Sequence, residues 1–202
     1  SLVGLFDKFG KGTIQIDANK AGPEDYFITE DLEIIETLPG VKTVSPMMPF
    51  TGNIKMKKAG DLSFAQIWGV KADYNKIMPV TLLKGRYISE ADDKTKANVV
   101  VVEEALAIRR FGTNNVIGKQ IEIRHENQNY TFEIIGVKDD TYDIAGMPKE
   151  HIPLMMHLPY GTVMSTMYDF GEGKAVFAVA STEDDANVNQ IAQQMKKILE
   201  KR

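Results

Sequence analysis

Cysteine is absent from the 202 residues. Disulfides, zinc–thiolate centres and thiol nucleophiles are excluded together, and the redox compartment stays open. Tryptophan occurs once and histidine three times, so a histidine-based metal or acid–base site has few residues to draw on. No apolar run nears the roughly 20 residues that span a bilayer. The first residues, Ser1 to Lys8, lack the basic start and long apolar core of a secretory signal. The sequence opens without methionine, so it reads as a piece of a longer chain, with flanking segments expected. Neither sign of charge dominates: 24 basic against 28 acidic residues leave a net charge of −4. With no basic stripe interleaved with aromatics, no nucleic-acid partner is expected.

What is present is an ordinary globular composition, 43% hydrophobic and 26% charged, long enough for one large or two small domains. The two ends carry helix–strand patterning. Residues 13–17 alternate apolar and polar as a half-buried strand, and residues 21–25 read as a loop. Thr29 is placed to cap a helix whose apolar positions are Leu32, Ile35 and Leu38, with Pro39-Gly40 as its stop. A strand begins at Val41. At the other end, residues 174–180 are apolar on both faces, which predicts a central strand. Thr182 and Asp185 have capping-box spacing before an amphipathic helix to about residue 200, with Val188, Ile191, Ala192, Met195, Ile198 and Leu199 on one stripe.

The middle reads as β. Residues 53–57 and 63–70 are predicted strands, and 119–124 with 130–137 form a hairpin closed by the polar loop 125–129. One short helix, about 103–111, ends at Gly112, where a left-handed cap favours glycine. Residues 139–173 predict loops, a short strand near Ile152 to Leu154 and a helical turn within 159–168. Gly69, Gly85, Gly118 and Gly136 are expected at turns or close backbone approaches.

Candidate chemistry is sparse. His151, Met155, Met156 and His157 could form a soft-metal site; alternatively the methionines fill core gaps and the histidines, His125 included, are solvated. Asp139, Asp140 and Asp143 offer oxygen ligands, but without EF-hand spacing they read as a solvated turn. Glu103 and Glu104 are neighbours on a helix and so do not face one another; they favour its N-terminus electrostatically. Gly10-Lys11-Gly12-Thr13 lacks the upstream glycine of a phosphate loop and precedes a strand. No Gly-x-Ser-x-Gly elbow occurs.

The order of short motifs is more telling: Leu38-Pro39-Gly40-Val41 and Val44-Ser45-Pro46, then Trp68-Gly69-Val70 and Tyr74, then Leu83-Lys84-Gly85-Arg86-Tyr87, then residues 99–102, Phe111-Gly112, Ile117-Gly118-Lys119 and Ile134-Ile135-Gly136-Val137. Together, over about residues 13–199, this resembles the extracytoplasmic core domain of MacB-like ABC transporter permeases, the family of macrolide exporters and lipoprotein-releasing complexes. The resemblance implies an α+β fold: a porter-like α/β subdomain from both ends (1–51 and 146–202) with an inserted β-rich subdomain (52–145). It implies a non-catalytic domain with no catalytic, metal or cofactor residues, on the extracytoplasmic face of a membrane. Its role would be to transmit ATP-driven motion to substrate export or to a partner protein. The implied partners are an ABC ATPase domain or subunit reached through the membrane part, an extracytoplasmic protein met by residues 52–137, and a second copy in a homodimer. The alternative is an extracytoplasmic sensor of a small ligand or soft metal, using His151, Met155, Met156 and His157. In the permease, residues 2–6 would be the tail of an incoming stalk, Lys196, Lys197, Lys201 and Arg202 would lie near the bilayer, and residues near 10 and 200 would share one end of the molecule.

Overall fold

The computed structural model describes residues 3–5, 12–18, 26–57, 60–143, 145–168 and 173–200. Among them the elements run β1 (Val3–Leu5), β2 (Thr13–Asp17), β3 (Phe27–Ile28), α1 (Thr29–Glu36), β4 (Val41–Lys55), β5 (Leu62–Val70), α2 (Tyr74–Ile77), β6 (Leu82–Gly85), α3 (Glu90–Lys94), β7 (Val99–Glu103), α4 (Glu104–Phe111), β8 (Gln120–His125), β9 (Gln128–Lys138), β10 (Met155–Pro159), α5 (Tyr160–Thr166), β11 (Lys174–Ala175), β12 (Phe177–Thr182) and α6 (Val188–Glu200). The chain divides into two units, one of residues 1–48, 73–79 and 169–202, the other of residues 49–72 and 80–168.

In the first unit, β2 lies antiparallel between β1 and β12, and β12 lies antiparallel between β2 and β4. The central place of β12 is the one its two-sided apolar pattern predicts, and Ala178, Val179 and Ala180 are buried. Lys174 and Ala175 leave that strand to pair with β3 in a separate two-stranded sheet. Ile14, Ile16, Phe27, Ile35, Ile191 and Met195 form one apolar core, each large side chain contributing about 1.5–3 kcal/mol through removal from water. Residues 3–5, expected within an incoming stalk, pair with β2 as strand.

Two predicted caps move. α1 takes Ile28 as its N-cap; Thr29 is inside the helix, and the Asp31 carboxylate accepts the Ile28 N–H at 2.8 Å. α6 starts at Val188, six residues after Thr182. Its first turn is closed by Asn187, whose Oδ1 accepts from Gln190 N–H at 3.1 Å, and the Thr182 hydroxyl is buried without a hydrogen-bond partner among the described residues. The loop at 21–25, residue 10 and the terminal Lys201 and Arg202 lie outside the described residues.

In the second unit, neighbouring strands form a closed circuit: β4, β5, β10, β7, β9, β8 and back to β4, with β6 attached outside β9. Such closure satisfies backbone groups that an open edge leaves exposed. The pairs β5–β10 and β7–β9 are parallel; β7–β10, β8–β9 and β4–β8 are antiparallel. The predicted strand at 53–57 is the far half of β4, which runs unbroken from Val41 past Pro46 and Pro49. The hairpin turn is tighter than the sequence predicts: β8 and β9 extend to His125 and Gln128, leaving only Glu126 and Asn127, both with φ near +50° to +60°, as a type I′ turn demands. α4 ends as expected, with Gly112 at φ +78°. Gly85 and Gly136 are paired across β6 and β9; a Cβ on either would lie 2.1 Å from a backbone oxygen, Ile135 O or Arg86 O, so no side chain fits.

Residues 146–168 fall in this second unit, whereas the resemblance places 146–202 with the chain ends. The reason is β10, which is bonded on both sides to strands of the second unit. The strand predicted near 152–154 is displaced to 155–159, and the helical turn becomes the seven-residue α5.

Candidate functional site in the second unit

The four residues of the soft-metal reading are not brought together. Met155, Met156 and His157 are buried in β10, while His151, in a 3₁₀ turn, is exposed. His157 Nδ1 and the Tyr87 hydroxyl are 2.7 Å apart, and its ring stacks on Trp68 at 5.5 Å. Burial, reinforced by the charge of Lys138, pushes the His157 pKa down to about 3. His125 is buried too, so of the three histidines only His151 is solvated. Among the described residues no group of three or more histidine, aspartate or glutamate side chains could hold a metal ion.

The acidic residues also separate. Glu103 is buried with Lys138, whose Nζ donates to its Oε2 at 2.8 Å; the Thr141 N–H donates to Glu103 Oε1 at 2.8 Å. Glu104 turns instead to Lys149 and Asn114, which hold its carboxyl below the usual range against the opposing effect of burial. Asp140 is buried, not part of a solvated turn: its Oδ1 accepts from Ala105 N–H at the start of α4 and its Oδ2 pairs with Lys149. Asp139 and Asp143 are exposed. These are clamps that fasten residues 138–149 to α4, an arrangement without a nucleophile–base pair. Gly10 and Lys11 lie outside the described residues; the Gly12 carbonyl accepts from Thr182 N–H, which makes it part of the sheet margin.

The motif Leu83 to Tyr87 is structural in the same way. The Arg86 guanidinium makes a two-pronged pair with Asp92 at 2.7 and 3.1 Å, Arg86 N–H donates to Ile135 O, and Tyr87 meets His157.

An open groove of about 350 Å³ lies elsewhere in the second unit, at residues that the sequence did not single out together. It is lined by Phe50, Gly52 and Asn53 of β4, Phe64 of β5, Arg124 and His125 of β8, Glu126 in the turn and Tyr168. The antiparallel register sets Asn53 opposite Arg124, which brings β4 and β8 side chains to one wall. Three rings form its floor: Phe50 is edge-on to His125 at 5.1 Å and to Tyr168 at 5.5 Å, and His125 and Tyr168 are 5.3 Å apart. His125 Nδ1 lies 3.1 Å from the Thr51 carbonyl. A carbonyl only accepts, so Nδ1 carries the proton and, in the neutral ring, Nε2 is an acceptor. Nε2 is buried and has no hydrogen-bond partner among the described residues. Burial, then the charge of Glu126, raises the Tyr168 phenol above its ordinary range. Phe64 stands 62% exposed beside the groove, with Leu62 also exposed two positions before it on the same strand face. Residues 50, 64, 125 and 168 are scattered along the chain, so only an expectation of strand closure could have joined them.

The comparisons with known proteins agree with this architecture. Pyoverdine export ATP-binding/permease protein PvdT of Pseudomonas aeruginosa is 25% identical over 186 residues, 90% of this chain and 26% of the relative. Macrolide export ATP-binding/permease protein MacB of Neisseria gonorrhoeae is 27% identical over 173 residues, 86% of this chain and 25% of the relative. The chain thus spans about a quarter of the length of these curated relatives. Among solved structures, the periplasmic region of MacB from Actinobacillus actinomycetemcomitans matches with a TM-score of 0.70 at 19% identity, covering 96% of this chain and 86% of that one. The extracellular domain of the ABC-type transporter YknZ from Gram-positive bacteria matches at 0.66 and 17%, covering 91% and 87%. These similarities establish the α+β fold, and the sequence pattern of the family itself matches residues 4–198: the chain belongs to the MacB-like periplasmic core domain family of ABC transporter permeases.

Proposed function

We propose that this chain is the extracytoplasmic part of an ABC transporter permease and that it passes ATP-driven motion to export of a substrate or to a partner protein outside the membrane. The observation that carries the reading is the family match over residues 4–198. The internal build of the first unit supports it, since β2 near one end and β12 with α6 near the other share one sheet and one core. Segments entering and leaving the domain therefore join a single body, as a domain held at both ends against a bilayer needs. No helix among the described residues is long and apolar enough to cross a membrane; the anchor and the ATPase belong to other parts of the parent protein or its partners. The exposed Leu62 and Phe64 of the β-rich unit favour that unit as the face presented to a partner.

The test is topological and mechanical. In the full-length parent, Lys94→Cys, at an exposed position of α3, is expected to react with a membrane-impermeant maleimide in intact cells. Its labelling rate, or that of a cysteine at Leu62, should change when ATP hydrolysis is blocked. Labelling only after lysis would overturn the placement, and rates blind to nucleotide state would overturn the coupling.

A further inference from the structure

We propose that the outer face of β5, β4, β8 and β9 in the second unit is a binding platform for a neutral, hydroxyl-rich saccharide. These strands are neighbours in the sheet, and side chains alternate between the two faces of a strand. On β8, Glu122 and Arg124 face outward between the buried Ile121 and Ile123. Arg124 stands opposite Asn53 of β4 and Asn129 of β9, and Glu122 reaches Lys55 of β4 at 3.4 Å. At the β5 margin Leu62 and Phe64 are exposed, Phe64 the more so, while Ala65 and Ile67 are buried. The face is not flat. It holds the open groove of about 350 Å³ and a second hollow of about 250 Å³, and Arg124 lines both.

The chemistry of this face selects the class of ligand. Its charges cancel: Lys55 and Arg124 are matched by Glu122 and Glu126, so neither a polyanion nor a polycation gains a net attraction. What remains is a field of planar hydrogen-bonding groups. The Asn53 and Asn129 amides carry donors and an acceptor, the Arg124 guanidinium only donates, and the two glutamates only accept. Arg124 gives one nitrogen to Asn129 Oδ1 at 3.2 Å, which leaves it further N–H groups to donate. A sugar hydroxyl both donates and accepts, so a pair of neighbouring hydroxyls satisfies an amide, a guanidinium or a carboxylate alike. The C–H faces of a sugar ring are apolar, and the Phe64 ring with Leu62 offers them a contact surface at the margin. Open hollows suit such a ligand, because its outward hydroxyls keep their water. One sugar ring goes to each hollow, with Arg124 between them. The inference deepens the reading of the second unit as the outward-presented one and rests on it only for where a saccharide is met.

Chitotriose and cellotriose, both neutral and linear, are the probes. Titrated at millimolar concentration into the ¹⁵N-labelled chain, at least one is expected to shift the amides of residues 53–55, 62–64, 122–126 and 129 together, with the same affinity at low and at high salt. Phe64→Ala and Arg124→Met, neither in the core, should each weaken binding about tenfold, the ratio for a lost ring contact or hydrogen bond. Leu82→Ala, at an exposed position of β6, should leave the affinity unchanged. No shift with either saccharide, shifts centred elsewhere, affinity that falls with salt, or full binding by either the Phe64 or the Arg124 variant would overturn the proposal; the first of these outcomes leaves the face to a protein partner. The transporter reading has its own test in membrane sidedness and nucleotide state, so either can fail without the other.

Discussion

The two units solve the same packing problem with different materials. The first is held by an apolar core, and its buried polar groups are mostly hydroxyls, Thr13, Ser45, Ser181 and Thr182, with Asp31 at a helix start. The second buries ionisable groups: Glu103 together with Lys138, Asp140 and Asp92 against the exposed cations Lys149 and Arg86, and His157 beside Tyr87. An apolar core is indifferent to pH, while a network of buried charges is not. The stability of this chain should therefore respond to acid in one unit and hardly in the other.

The sharpest way to break that comparison is Lys138→Ala, which strands the fully buried Glu103 carboxylate. Removing one partner of a buried pair costs about 3–5 kcal/mol, to be read from urea unfolding followed by the fluorescence of Trp68, a second-unit residue. If Lys138→Ala costs under ~1 kcal/mol, the second unit does not depend on its charges. Ile16→Ala is the matching cut in the first unit. A fully buried side chain there is worth about 2–5 kcal/mol, seen as faster amide exchange in β2 and β12, and the loss should be the same at pH 7 and pH 5.

Acidification separates the units without a mutation. His157 titrates near 3 when folded and near 6.5 when unfolded. Its folded pKa is depressed, so the stability is present above about 6.5 and is lost as pH falls from there toward 3. Between pH 7 and pH 5 the loss is about 2 kcal/mol. Asp92, lowered chiefly by its hydrogen bond from Arg86, and Glu104, lowered chiefly by Lys149, add losses of the same sign at still lower pH. Trp68 fluorescence melts should shift between pH 7 and pH 5 while β2 and β12 exchange does not; His157→Gln should flatten the shift. A parallel fall in both units would refute the contrast. The smallest expected effect is Asn187→Ala, about 1 kcal/mol for a lost helix cap, confined to exchange at the first turn of α6.

The sequence was most legible where the signal is local. The hairpin of β8 and β9, the glycine-closed α4 and the central β12 follow from alternation, a left-handed cap and a two-sided apolar run. Legibility failed in two ways. Thr182 and Asp185 have the right spacing for a cap, but Thr182 is the last residue of β12, and sheet pairing outweighs a local capping preference; Asn187 is the residue left free to close the helix. The groove and the charge clamps were invisible for another reason. Phe50, Phe64, His125 and Tyr168, or Glu103 with Lys138, become neighbours only after the strands close their circuit, and no spacing in one dimension encodes that. The acidic triplet at 139–143 looked like one feature and is two, since Asp140 turns inward and its neighbours outward.

The placement of β12 beside β2 sets a schedule for synthesis. The register joins residues 13–17 to 177–181, about 160 residues apart, and a ribosome adding roughly 5–20 residues per second needs some ten to thirty seconds to cover that stretch. The second unit, residues 49–168 apart from the short insertion at 73–79, is complete in the nascent chain before β12 exists. The N-terminal strands must wait, with Ile14 and Ile16 uncovered, until residues 177–181 have been made. Their apolar faces are the surface most in need of a chaperone or a nearby membrane during that interval.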